Sequence, residues 1–294
     1  MRELDLFYDN SKSKVSHYEG RLGVFDYDPE EFELQKFCYE YYLHYCGKGK
    51  SVDLPKGCID TSYMFAECEL PPDFSLGPDF DTSNVTNMSR MFLKCILPEN
   101  FSLGKKFNTS KVTDMEAMFD LCRLPQNFSL GDKFDTSKVT TMNCMFMSCK
   151  FSKMFSLGNK FDTSSVIDMS NMFSDCTLPE GFTLGNKFDT SKVTDMKRMF
   201  SSCGLPKGFT LGNKFDTSKV TDMRCMFSCC TLPEGLILDN RFDTSSTADV
   251  IDVLTTEFVD FYKATGRYYD EYLEKAVRYY KSSPAVNLTR DCDL

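Results

Sequence analysis

The residues best suited to chemistry in this sequence are its 14 cysteines, half of which recur at a spacing of 27 residues. These seven are Cys68, Cys95, Cys122, Cys149, Cys176, Cys203 and Cys230. A cysteine nucleophile needs a neighbouring base, yet only two histidines are present, His17 and His44, and neither recurs with the cysteines. The small number of histidines and the absence of any Cys-x-x-Cys pair also argue against a zinc site. Each cysteine closely follows a Met-Phe pair, so we expect a buried ladder of reduced thiols. Neighbouring members could be close enough for disulfides, but seven equivalent thiols favour no particular pairs.

Two charged rows share the same spacing. The aspartates could bind Ca²⁺ between repeats, and the cations could bind an acidic partner. The rows are Asp81, Asp135, Asp162, Asp189, Asp216 and Asp243, and Lys106, Lys133, Lys160, Lys187, Lys214 and Arg241. Asn108 replaces one carboxylate, which suits hydrogen bonding to turn amides better than metal binding. The cations stand two positions before the acids, so we expect mutual neutralisation. We predict no metal, no cofactor and no catalytic residue.

These rows arise from one internal repeat, which Leu178 to Cys203 shows in full. The phenylalanine that opens its Phe-Asp-Thr-Ser block recurs seven times without slippage. It stands at Phe80, Phe107, Phe134, Phe161, Phe188, Phe215 and Phe242. Such a register predicts a repeat protein. A single repeat buries too little apolar surface to offset its loss of chain entropy, so neighbouring coils must stack.

Each repeat carries two hydrophobic periods. The alternation Phe182-Thr183-Leu184, followed by Gly185, predicts a short strand. The spacing of Val193, Met196, Met199, Phe200 and Cys203 predicts one face of a short helix. Thr190, Ser191 and Thr194 are candidate N-caps for that helix. We therefore predict an α/β repeat solenoid, leucine-rich-repeat-like, with a short strand and a short helix per 27-residue coil and helical caps at both ends.

The domain organisation follows from where the repeat starts and stops. We predict an N-terminal capping region at 1–53 with a helix at about 29–46. Residues 54–247 form the solenoid, with one shortened coil and seven 27-residue coils, and 248–294 form a C-terminal helical-hairpin cap. One coil differs at Lys150-Phe151-Ser152, where others have Leu-Pro, and we interpret this as a tolerated surface or loop change.

Composition excludes some partners and places. A net charge of -9 makes nucleic acid an unsuitable partner. The sequence contains no run of 18 apolar residues, so we expect no transmembrane span. The first residues do not have the pattern of a secretory signal. Together with the many free cysteines, this favours a cytoplasmic monomer.

The run Phe-Asp-Thr-Ser-x-Val-Thr-Asp-Met-x-x-Met-Phe-x-x-Cys resembles the repeat of BspA-like leucine-rich-repeat surface proteins. The same repeat is also catalogued as a Mycoplasma-type lipoprotein domain of unknown function. The resemblance covers about 58–256. It implies a non-enzymatic bacterial or protist surface protein that takes part in adhesion and binds host proteins, at the cell surface or outside the cell. This chain differs in its Leu-Pro-x-x-Phe-x-Leu-Gly segment and in having no lipobox cysteine or sortase motif.

Two rows of outward positions are candidates for partner binding. The predicted strands present small hydroxyls, including Ser129, Ser156 and Thr183, which suit a repetitive ligand. The predicted helices vary from coil to coil and carry Lys197, Arg198 and Arg224, which suit a specific protein partner. We expect a non-enzymatic scaffold for adhesin-like protein–protein interaction. The alternatives are an intracellular scaffold or effector and, lower, an enzyme with a site in the terminal regions, where no nucleophile, base and oxyanion set is recognisable.

Overall fold

The computed structural model describes residues 51–54, 56–230 and 233. The chain divides into two units, Met1–Phe37 and Cys38–Leu294, and every described residue belongs to the second. The predicted helix at about 29–46, the predicted hairpin at 248–294 and the end of the last coil lie outside the described residues.

Two short strands are present in this part of the chain. They are β1 (Ser51–Val52) and β2 (Ser75–Leu76), which pair in parallel with Ser51 opposite Ser75 and Val52 opposite Leu76. No helix occurs between residues 51 and 230 of the described chain. Accordingly, the described residues include no helix long and apolar enough to cross a membrane.

Consecutive repeats lie side by side, joined by two ladders of parallel bridges. Each bridge connects a residue to its equivalent one repeat later, which is the spacing that the sequence shows. The first ladder runs through Asp60, Asn87, Asp114, Thr141, Asp168, Asp195 and Asp222. The second runs through Glu69, Ile96, Arg123 and Lys150, and resumes from Thr177 to Gly204. Many backbone hydrogen bonds therefore join neighbouring coils, in addition to the turn bonds within each coil.

The helix predicted in each coil is wrong for the described repeats, because consecutive turns occupy its place. Between Met88 and Cys95, the N–H groups of Met91, Leu93 and Cys95 each donate to the carbonyl three residues earlier. The alternate N–H groups, beginning with Arg90, donate to the next coil instead. Arg90 has a φ of 56°, in the left-handed region that a right-handed helix excludes. Two successive turns give the same i, i+3 spacing of apolar residues as a helix.

The predicted strand also differs from the structure. Of the repeated Phe-x-Leu segments, only the first contributes a strand, β2. Phe182 and Leu184 are buried and Thr183 is exposed, as the alternation requires, but they carry no strand ladder. The alternation of apolar and polar residues therefore predicts which side chains are buried, but it does not predict whether the backbone pairs with a neighbouring strand.

The core consists of aromatic and sulfur-containing columns that run along the stack. Neighbouring rings in the central phenylalanine column lie with centroids 5.3–5.7 Å apart, mostly face to face. The column is Phe65, Phe92, Phe119, Phe146, Phe173, Phe200 and Phe227. The valine, both methionines and the cysteine of each inner coil are buried beside it. Burial of these side chains is the main favourable contribution, at roughly 1.5–3 kcal/mol each.

A buried threonine ladder replaces the N-cap role predicted for these hydroxyls. The Thr136 hydroxyl donates to the Asp162 carbonyl at 2.8 Å and accepts the Asp162 N–H at 2.7 Å. Thr163 makes the same pair of bonds with Asp189. Both threonines are fully buried. Each hydroxyl therefore satisfies one donor and one acceptor of the next coil, which leaves no buried polar atom without a partner at this step.

Candidate partner-binding faces

The positions predicted to bind a specific partner form one continuous face, which we call the variable face. It consists of two adjacent residues per coil: Ser89-Arg90, Glu116-Ala117, Asn143-Cys144, Ser170-Asn171, Lys197-Arg198 and Arg224-Cys225. In the five coils from Arg90 to Arg198, the N–H of the second residue donates to the carbonyl of the first residue in the next coil, at 2.7–2.9 Å. Arg198, for example, donates to Arg224 at 2.9 Å. The backbone is thus constant along this face while the side chains differ. Ser89, Ala117 and Ser170 are buried, so the other members supply the side chains that a partner could contact.

The structure brings Lys197, Arg198 and Arg224 together in two neighbouring coils. The Arg224 guanidinium forms a salt bridge with Asp222, with Nη2 to Oδ2 at 2.6 Å. That bond holds the pKa of Asp222 below its usual range. Among the described residues, neither Lys197 nor Arg198 forms a salt bridge, and both are half-buried. Two of the three predicted cations are therefore available to an acidic group of a partner.

The charge changes along the variable face. Towards its other end, Arg90 forms a salt bridge with Glu116 and lies 5.4 Å from the centroid of the Tyr63 ring. Burial raises the pKa of both Asp114 and Glu116, which shows that these carboxylates are partly withdrawn from water. The face is therefore basic at Lys197 and Arg198 and mixed or acidic near Asp114.

The predicted hydroxyl row lies elsewhere on the coils. Ser129, Ser156 and Thr183 are all exposed, between buried Phe and Leu neighbours. The phenylalanines that precede Ser156 and Thr183 stack at 6.4 Å, so these two hydroxyls stand in adjacent coils. The structure thus presents two separate rows, as the sequence suggested, rather than one site built from all six residues.

The described members of the aspartate row each accept a local turn bond, and three lysines of the other row lie near a carboxylate of the preceding coil. Asp81 accepts the N–H of Ser83 at 2.9 Å, and Asn108 accepts that of Ser110 at 3.0 Å. The Ser83 N–H also holds the pKa of Asp81 below its usual range. Lys106 bonds to Asp79 at 2.7 Å. Asparagine accepts the same turn hydrogen bond as aspartate does. The side chains of this row therefore stabilise the turns, and their charge is not needed for that role. Within the described residues no group of acidic, histidine or cysteine side chains could hold a metal ion.

The cysteine ladder is buried and unsuited to nucleophilic chemistry. Every described cysteine is a free thiol, and the ladder members from Cys68 to Cys230 are buried. Burial raises the pKa of Cys176 and of Cys230 to about 12, and that of Cys122 well above its ordinary value. Since the thiolate is the nucleophile, these thiols are unreactive at neutral pH. They act as small apolar core residues.

The sequence reading missed a groove at the altered coil. It has a volume of about 540 Å³, and its lining includes Lys150, Phe151, Lys153, Asp175 and Leu178. Lys150-Phe151-Ser152 was interpreted as a tolerated surface or loop change; Lys150 is exposed, but Ser152 is buried and the bridge ladder is interrupted at this coil. The signal was present in the sequence as the replacement of Leu-Pro.

None of the curated proteins and none of the solved structures compared with this chain matches it. A family model does match, over residues 59–178, 124–205 and 207–261, which together make up more than half of the chain. These segments include every repeat that forms the variable face and the groove. The chain therefore belongs to the family described as "Mycoplasma protein of unknown function, DUF285".

Proposed function

We propose that the stacked repeats form a leucine-rich-repeat-like solenoid of the BspA type that has no enzymatic activity and binds another macromolecule. The observation that carries this proposal is the variable face, in which a constant backbone presents different side chains in each coil. A rigid surface with variable side chains can discriminate between partners without a catalytic site.

The charge pattern suggests which part of the face contributes most. Lys197 and Arg198 form no salt bridge with a described residue, and Arg224 lies in the next coil beside them. Cations placed in this way favour an acidic patch on a protein partner, and they increase the association rate at low salt. Adhesin-like binding of a host protein or of a second protein from the same organism fits this surface.

A second candidate is an intracellular scaffold. It is favoured by the free thiols, since secreted proteins with this many cysteines usually contain disulfides. The two candidates share the binding face and differ in where the partner is found. Detection of the native protein in fractionated cells, with surface biotinylation of intact cells, separates them.

The decisive experiment compares three variants of the full chain in partner capture. The first, K197E/R198E/R224E, reverses the charge of the variable face. The second, K192E/K207E/K219E, makes the same change in net charge at exposed lysines outside that face. The third places tyrosine at Ser129, Ser156 and Thr183. Captured proteins are identified by mass spectrometry and their affinities are measured with purified partner.

We expect the first variant to lose at least tenfold in affinity, with the loss reduced at high salt, and the second to bind as the parent does. A loss confined to the tyrosine variant would instead move the binding site to the hydroxyl row. If all three variants bind as tightly as the parent, neither the variable face nor the hydroxyl row forms the binding site and the proposal fails.

A further inference from the structure

The coil between Cys149 and Phe155 departs from its neighbours at a buried position. Elsewhere a buried leucine and a proline occupy this place, as in Leu124-Pro125 and Leu178-Pro179. Here Phe151 occupies the position of the leucine and is half-buried. Its ring centroid lies 4.6 Å from that of Phe155 and 5.6 Å from that of Phe146. The larger ring does not fit the space that a leucine fills in the regular coils.

Two backbone hydrogen bonds that close the regular coils are missing at this junction. One repeat earlier, Lys150 donates its N–H to Cys122 at 3.0 Å, and Leu124 donates to Lys150 at 3.2 Å. The equivalent donors at the altered junction are Thr177 and Phe151, and neither N–H bonds to a described residue. The Thr177 carbonyl likewise accepts no bond from the described chain. The bridge between Lys150 and Thr177 is therefore missing, although Ser148 two residues earlier still donates its N–H to Ser174 at 2.8 Å.

At the same junction, the side chain of Ser152 has no hydrogen-bond partner among the described residues. Ser152 is 5% exposed, and its hydroxyl makes no hydrogen bond within the described residues. Its carbonyl still accepts the N–H of Phe155 at 3.2 Å, as a proline carbonyl does in the regular coils. A departure from a repeated local rule that leaves buried polar groups unpaired is expected where a site serves function.

The groove that results has two kinds of wall. Lys150 and Lys153 both line the groove, and among the described residues neither forms a salt bridge. Leu121, Phe151 and Leu178 supply apolar surface. The single lining carboxylate, that of Asp175, already accepts the Ser148 hydroxyl at 3.1 Å. The groove therefore offers cationic, apolar and backbone hydrogen-bonding groups together.

We propose that this groove binds an extended segment of a partner protein that presents an apolar side chain next to a carboxylate. The carboxylate lies against Lys150 and Lys153, and the apolar side chain packs on Phe151 and Leu178. A peptide is favoured over a small carboxylate because Phe151 and Thr177 expose both donors and an acceptor of the backbone, which an extended chain can satisfy. This site goes beyond the proposed function, since it is separate from the variable face and stands whether or not that face binds.

The test uses capped octapeptides in which a central Leu-Asp pair is flanked by Gly, Ser and Thr. In the two control peptides, lysine replaces the aspartate or serine replaces the leucine. N-acetyl-leucine provides a free carboxylate. Binding to the full, ¹⁵N-labelled chain is followed by amide chemical shifts. We expect the Leu-Asp peptide to bind at least tenfold more tightly than either control or N-acetyl-leucine, with shifts at Phe151 and Thr177.

Two variants locate the site. F151L/S152P restores the regular sequence, and we expect it to close the groove, slow exchange of the Thr177 amide at least tenfold and abolish peptide binding. K150E/K153E should lose at least tenfold in affinity, whereas K192E/K207E, with the same charge change, and K197E/R198E/R224E should bind as the parent does.

Three results would overturn the proposal. The first is no peptide binding up to millimolar concentration, and the second is equal affinity for the Leu-Asp and Leu-Lys peptides or for N-acetyl-leucine. The third is peptide binding by F151L/S152P that is as tight as binding by the parent chain. Because that variant restores the regular sequence, its folding is expected to improve, and its result remains interpretable.

Discussion

Asp120 is a buried carboxyl group whose removal should stabilise the protein in a pH-dependent way. It is 7% exposed, and its Oδ1 has no hydrogen-bond partner within the described residues. The equivalent residues Ser174 and Ser201 each donate a hydroxyl to the carbonyl one repeat later, at 3.3 Å. An ionised carboxylate cannot donate such a bond. Burial, outweighing the attraction of Lys94, raises the pKa of Asp120 from its ordinary value of 3.8 to about 6.

The sign and size of the effect follow from this shift. Between pH 4 and pH 6 the folded chain holds a proton on Asp120 that the unfolded chain has released, so stability falls as the pH rises through this window. Above pH 6 Asp120 is ionised in both states, and the buried carboxylate lowers the free energy of unfolding by about 3 kcal/mol, for a shift of about two pKa units. Below pH 4 both states are protonated and the cost disappears.

The perturbation is Asp120→Ser, which copies Ser174. We expect D120S to exceed the parent in free energy of unfolding by up to about 3 kcal/mol at pH 8 and by less than about 1 kcal/mol at pH 4. Urea denaturation followed by far-UV circular dichroism measures the difference. Exchange of the Phe119 amide, which donates to Met145 at 2.9 Å, reports the same coil locally. D132S, at an exposed aspartate, is the matched control and should show no such pH dependence.

A stability difference between D120S and the parent that is the same at pH 4 and pH 8 would refute this reasoning. So would a variant less stable than the parent at pH 8, because it would mean that the carboxylate has a stabilising partner.

Three further predictions concern the core. Thr163→Val should lower the free energy of unfolding by about 1–3 kcal/mol per buried group left unpaired, since the Asp189 N–H and carbonyl lose their partner; Thr163→Ser, which keeps the hydroxyl, should cost less in the same urea titration. In native protein a thiol reagent should label the exposed Cys229 within minutes and leave Cys203 unlabelled until denaturant is added; early labelling of Cys203 contradicts its burial. Phe200→Ala should cost about 3–5 kcal/mol, because the ring is stacked between two others; a melting temperature equal to that of the parent would show that the column is not a core.

The side chains of the core could be predicted from sequence, whereas the backbone could not. Met196, Met199, Phe200 and Cys203 were assigned to one inward face, and all four are buried. The helix assigned to them was wrong because Arg198 adopts a φ of 54°. No residue type signals this conformation: the equivalent positions hold Tyr, Arg, Ala, Cys and Asn, of which only asparagine favours the left-handed region. The choice between turns and helix depends on hydrogen bonds to the neighbouring coil, which local propensity does not contain.

The candidate faces were predictable to a similar degree. Repetition alone placed Lys197 and Arg224 at equivalent positions, and the structure joins their coils through the Arg198 N–H. Sequence could not show that Arg224 is held by Asp222 two residues away while Lys197 forms no salt bridge with a described residue, since the pairing depends on turn geometry. The charge available to a partner is therefore smaller than the count of cations suggests.

The groove at Phe151 shows what a repeat can and cannot disclose about itself. Comparison of the coils identifies Phe151-Ser152 as an exception to Leu-Pro, but the same kind of comparison also identifies Asn108, which has no structural consequence because its amide makes the usual turn bond. The difference lies in the space around each position. Asn108 is half-buried at a turn that accepts either side chain, whereas Phe151 replaces a leucine whose backbone closes the bond to the next coil. We therefore expect a substitution in a repeat to open a groove when it alters a buried position that also carries a bond between coils, and Phe151 meets both conditions.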